Sequence, residues 1–164
     1  MIDRAETPAG GGAIALDDSQ RAVLTPEIEA IAAAASKPEA RNTFRALAEA
    51  VAAHEVPADL AGLLGSVVEM SLTSGRARQS FGAAGESAMR VLFAKTPRGA
   101  AASASIEALN KALRELSGDT IESASASTRG PGVYAITLAT GRYRLVIRFD
   151  RNGAELESAE VDLG

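Results

Sequence analysis

A chain of 164 residues with no cysteine and a net charge of −4 excludes disulfide staples and Cys-based zinc sites, and it is long enough to bury a core without them. The acidic balance speaks against general nucleic-acid binding, where a strongly basic surface supplies most of the affinity. With four Phe, two Tyr and no Trp, the core has to be assembled from Leu, Val, Ile and Ala.

The start, Met1-Ile2-Asp3-Arg4-Ala5-Glu6, lacks the basic region and continuous apolar run of a signal peptide. An uncharged stretch such as Leu60 to Val68 falls far below the roughly 18 residues that span a bilayer. These features predict a cytoplasmic chain without membrane insertion.

Residues 1–24 read as a flexible N-terminal arm, because Gly10, Gly11 and Gly12 lose the most backbone entropy on ordering. A disordered tail is the simpler reading; the apolar Ile14 and Leu16 offer the sharper one, a segment that orders by docking on a partner. Residues 25–99 read as a helical region. Thr25-Pro26-Glu27 predicts its first helix start, with Thr as N-cap and Pro at the first position. Ser36-Lys37-Pro38-Glu39 reads as a capping box that opens a second helix running to about His54. A third helix carries Leu60, Leu63, Leu64, Val67, Val68 and Leu72, and Gly75 ends it. Gly62 and Gly65 weaken it by about 1 kcal/mol each, which implies close approach of another helix. Residues 76–82 fit a short helix or a loop ending at Gly82. A fourth helix runs from about Ala84 to Lys95, and Thr96-Pro97 stops it. A fifth, from about Ser105 to Leu116, presents Ile106, Leu109, Leu113 and Leu116 on one face.

The C-terminal region, residues 100–164, joins this fifth helix to four strands. Val133 to Asp150 alternates with period two around Thr140-Gly141. A two-residue turn at that pair sets Leu138 against Tyr143, Ile136 against Leu145, and Tyr134 against Ile147. A second turn at Asp150-Arg151-Asn152-Gly153, closed with a Gly bulge, pairs Tyr143 with Val161, Leu145 with Ala159, Arg144 with Glu160, and Arg142 with Asp162. A strict Asn-Gly turn is the competing register and pairs Arg148 with Glu157. Thr120 to Thr128, alternating Ser and Ala, predicts an edge strand. The expected fold is therefore α+β: a bundle of about five helices, then a four-stranded antiparallel meander with one face covered by helices.

No catalytic, metal or cofactor motif emerges. His54 is the lone histidine and reads as a structural residue near a helix end. Residues 76–99 set Arg76, Arg78, Arg90, Lys95 and Arg98 against one carboxylate, Glu86. Near Gly82-Ala83-Ala84-Gly85 that excess suggests an anion or acidic-partner contact carried by Arg76, Arg78, Arg90 and Arg98. Arg142, Arg144 and Arg148 line the polar sheet face, where opposing acids favour cross-strand ion pairs over nucleic-acid binding. The expected role is a non-catalytic interaction module whose partner is another protein or a second copy. The alternative is a small-ligand-binding domain or small enzyme with a pocket between helices and sheet. A nucleic-acid binder ranks last and would show steep salt dependence.

Overall fold

The computed structural model describes residues 12–161. Along them run β1 (Ile14–Ala15), α1 (Asp18–Ala34), α2 (Pro38–Ala52), β2 (Glu55–Val56), α3 (Ala58–Thr73), α4 (Arg76–Lys95), α5 (Pro97–Glu115), β3 (Ser123–Gly130), β4 (Val133–Ala139), β5 (Tyr143–Asp150) and β6 (Gly153–Val161). The helices precede a four-stranded antiparallel sheet of order β3-β4-β5-β6, so the chain is α+β. It divides into two compact units, residues 1–100 and 101–164.

In the first unit, α1 begins seven residues before the Thr25 start that the sequence suggests. Asp17 caps it, accepting from the Gln20 amide at 2.8 Å, while the Gln20 side chain accepts from the Asp17 amide at 3.1 Å. This reciprocal box, together with an apolar face formed by Val23, Leu24 and Ile28, carries the helix through Pro26. The predicted box at Ser36 does not form. Pro38 takes the first helical position and holds Lys37 in extended backbone, which makes Lys37 the N-cap.

Residues 12–24 are not part of an arm, since α1 starts at Asp18. Residues 1–11 lie outside the described residues, but Ile14 and Leu16 are buried in the core of their own unit. There β1 pairs antiparallel with β2, Ile14 opposite Val56. The core around them includes Leu24, Ile28, Leu47, Leu64, Val68, Met89 and Leu92, all sealed from solvent.

Gly75 ends α3 in the left-handed region, at φ 73°. Residues 76–81 are helical, and Gly82, at φ 67°, kinks α4. Of the two α3 glycines, Gly65 shows the expected close approach: a Cβ there would lie 3.3 Å from the Thr96 side chain. Gly62 faces open space. Thr96 turns α4 into α5, its hydroxyl donating to the Phe93 carbonyl and accepting from the Gly99 amide. A Cβ on Gly99 would collide with the Phe93 carbonyl oxygen.

In the second unit the first hairpin turns one residue later than expected. The Thr140 hydroxyl accepts from the Tyr143 and Arg142 amides, leaving Gly141-Arg142 as the loop. Leu138 therefore faces Leu145, Ile136 faces Ile147, and Tyr134 faces Phe149. Each partner moves by two residues, so every side chain keeps its face. In the second hairpin Tyr143 pairs with Val161, Arg144 with Glu160, and Leu145 with Ala159, as in the bulged register. The bulge itself sits within β6, between the Val146–Ser158 and Ile147–Leu156 pairs, and Arg148 faces Glu155. Asp162 lies outside the described residues.

Leu109 and Ala112 of α5 pack on Leu145 and Ile147, with Leu138, Phe149 and Leu156 at the margin. Arg129 of β3 and Glu157 of β6 approach to 3.3 Å, although they belong to opposite edges. Four strands set those edges about 14 Å apart, a gap that extended Arg and Glu side chains bridge.

Candidate interaction surface

The four arginines expected to form one anion contact are distributed over three carboxylates. Arg76 Nη2 lies 2.7 Å from Glu27 Oε2, a charge contact outside hydrogen-bond alignment. Arg98 Nη1 lies 2.7 Å from Glu69 Oε2. Only Arg78 and Arg90 converge, both on Glu86, at 3.1 and 2.6 Å. The Arg90 hydrogen bond holds the Glu86 carboxyl below the usual range; desolvation opposes it and Arg78 assists. Lys95 donates to the Ala15 carbonyl at 3.3 Å. The local excess of positive charge is thus partly offset by acids from α1, α3 and α4, three carboxylates against five cations. One of these pairs was legible in sequence, since Glu86 and Arg90 stand at i,i+4 on one helix. Glu27 and Glu69 gave no such signal, because folding alone brings them to their arginines.

His54 stands two residues beyond α2 with φ 64°, and its ring leaves the helix carbonyls. Its carbonyl accepts from the Leu16 amide at 2.9 Å, and its Nδ1 faces the Leu16 carbonyl at 3.4 Å. Arg21 Nη1 approaches Nε2 at 2.7 Å, and because guanidinium only donates, Nε2 accepts. The histidine is therefore a tether for the β1 segment, which extends the structural role its solitude suggested.

On the sheet, Arg142 pairs with Asp119 at 2.6 Å. That hydrogen bond pulls the Asp119 carboxyl below its ordinary range and raises the Arg142 guanidinium. The Arg142 guanidinium also sits 5.5 Å from the centre of the Tyr143 ring. Arg148 bridges Glu155 at 2.7 Å and Asp150 at 3.4 Å. These ion pairs engage Arg142 and Arg148 of the basic row; Arg144 stands opposite Glu160 in the register but makes no ion pair among the described residues.

What stands out instead is how little of the apolar sheet face α5 covers. A helix is roughly 10–12 Å across, whereas four strands at about 4.8 Å spacing are wider. Helix α5 shelters the β5–β6 side and leaves Tyr134 56% and Ile136 37% exposed on β4. The strand β3 borders this patch, is exposed from Ser123 to Arg129, and has no neighbour on its outer side among the described residues. Sequence reasoning put Tyr134 and Ile136 on the apolar face but had no means of knowing where α5 would lie.

A cleft of about 260 Å³ lies between α5 and the sheet, lined by Ala112, Leu116, Tyr143, Leu145 and Val161 among others. Among the described residues, no group of three His, Cys, Asp or Glu side chains is placed to hold a metal, and no helix is long and apolar enough to cross a membrane. In comparisons with known protein families, curated proteins and solved structures, the chain matches none.

Proposed function

We propose that the chain is a non-catalytic protein–protein interaction module: an adaptor, assembly factor or accessory subunit of a larger complex. The observation that carries this reading is the uncovered apolar pair Tyr134 and Ile136 beside a strand edge with no neighbour among the described residues. Exposed apolar patches bordered by polar residues characterise association surfaces, and an open edge offers main-chain hydrogen bonds to a partner. Arg76, Arg78, Arg90 and Arg98 belong to the helical unit, where Glu27, Glu86 and Glu69 engage them, so they carry no part of this reading. Mass-resolved pull-down from the native lysate tests the reading, with a Tyr134→Lys/Ile136→Lys variant run in parallel. A stoichiometric partner lost in the variant supports it. Recovery of nothing, or equal recovery by both chains, overturns it.

The second reading, a small-ligand-binding domain, draws on the cleft beside Tyr143. Its volume falls just below the roughly 300 Å³ at which ligand pockets begin. Ligand-observed NMR screening checks it: specific binders displaced by Leu116→Trp would favour the pocket over the surface.

A further inference from the structure

The geometry points to a second copy of this chain as an occupant of the open β3 edge, paired antiparallel strand to strand about a two-fold axis. This rests on the interaction-module reading and names one partner for it. Exposed edges are normally guarded by charge, and the two edges of this sheet differ in that respect. Strand β6 carries Glu155, Glu157 and Glu160, so a second β6 would bring acid against acid. Strand β3 carries no charge from Ser123 to Thr128 and is exposed along that length.

The charges flanking β3 are complementary under a two-fold. Glu122 precedes the strand and Arg129 stands one residue before its end, within 3.3 Å of Glu157 of its own chain, so an antiparallel copy brings each Glu122 toward a base that it would share with Glu157. A two-fold perpendicular to the sheet keeps side chains on their own face, so facing residues must share parity. The register centred on Ser125 meets this condition. It sets Ser125 against itself, Ser123 against Ser127, and Ala124 against Ala126. Glu122 then faces Thr128, one residue from Arg129. Serines meet serines on the polar face, and alanines extend the apolar face that carries Tyr134 and Ile136. The result is a continuous eight-stranded sheet. Only main chain and small side chains join across the seam, which makes the dimer reversible and concentration-dependent.

The test uses the full chain and the register's self-facing residue. Light scattering across a concentration series should show the mass rising toward twice that of one chain. Ser125→Glu and Ser125→Lys should each weaken the dimer by about tenfold, and mixing the two variants should restore it. Because the chain has no cysteine, Ser125→Cys should yield a single covalent dimer on oxidation. Circular dichroism verifies that the variants remain folded, as expected for an exposed site. A wild-type chain that stays monomeric into the millimolar range overturns the proposal. So does a dimer indifferent to the Ser125 charge, or an oxidised variant that forms no covalent dimer. The pull-down with the Tyr134 and Ile136 variant reads separately: a different partner captured by a monomeric chain sinks self-pairing and keeps the interaction reading.

Discussion

The helical unit and the sheet unit draw on the same alanine-rich composition, yet they bury it to different depths. In the helical unit, Leu24, Ile28, Leu47, Leu64 and Leu92 are fully sealed, because several helices surround each of them. In the sheet unit the buried cluster reduces to Leu109, Ala112, Leu145 and Ile147, with the rest of the apolar face partly or openly exposed. The difference teaches that one helix cannot roof four strands. Side chains of Leu and Ala size on that helix add too little breadth to reach the outer pair.

Truncating the two cores gives the largest contrast. Leu64→Ala, at a site with no exposure, should cost about 3–5 kcal/mol in denaturant unfolding, whereas Leu109→Ala should fall near 2 kcal/mol. Equal costs would break the comparison. Leu16→Ala follows, at about 2–3 kcal/mol, since Leu16 is 6% exposed within the helical core. Were residues 12–24 an independent arm, that substitution would leave the midpoint where it was.

A smaller effect concerns acid. The Asp17 carboxyl is lowered mainly by the Ser19 hydroxyl and then by the Gln20 amide, Glu86 by Arg90, and Asp119 by Arg142. Each folded pKa lies below its unfolded value, so the stabilisation is complete above the ordinary carboxylate range of about 4. It drains away as pH falls through the lowered values. Asp17→Asn and Glu86→Gln should flatten the acid limb of the helical unit, and Asp119→Asn that of the sheet unit, in urea midpoints compared between pH 6 and pH 3. An unchanged limb would remove these carboxylates from the account. The smallest effect belongs to Tyr134→Ser, expected within about 0.5 kcal/mol of wild type, because the ring it removes is already mostly in water. A large loss there would show that the sheet's bare side is not bare in solution.

The parts of this architecture that depend on local pattern were readable from sequence. Alternation through Val133 to Asp150 marked a hairpin, and both faces survived an error of one residue in the turn because the partners moved by two. The β6 bulge was written there as well: apolar residues fall on even numbers at Ala154 and Leu156, then on odd numbers at Ala159 and Val161. Its place in the strand was missed because Gly153 drew the irregularity to the turn. Other misreadings came from competing local signals. Thr25-Pro26-Glu27 imitates a helix start, and only the Asp17–Gln20 box with the periodic face beyond it shows that the helix is already under way. The arginines were the least legible. Their charge is plain in sequence, but the acids that neutralise Arg76 and Arg98 sit on other helices, and no spacing rule joins them.

The order of the sheet also bears on how the protein emerges from the ribosome. The strands are arranged in the order of their synthesis, so each new strand finds its neighbour already made and none waits for a distant segment. The helical unit, complete by residue 100, precedes them all. Under that schedule β3 appears first, receives β4 on one side, and among the described residues is joined by no later strand on the other. Nascent chains on neighbouring ribosomes of one message would therefore present this edge to each other before either β6 had been made.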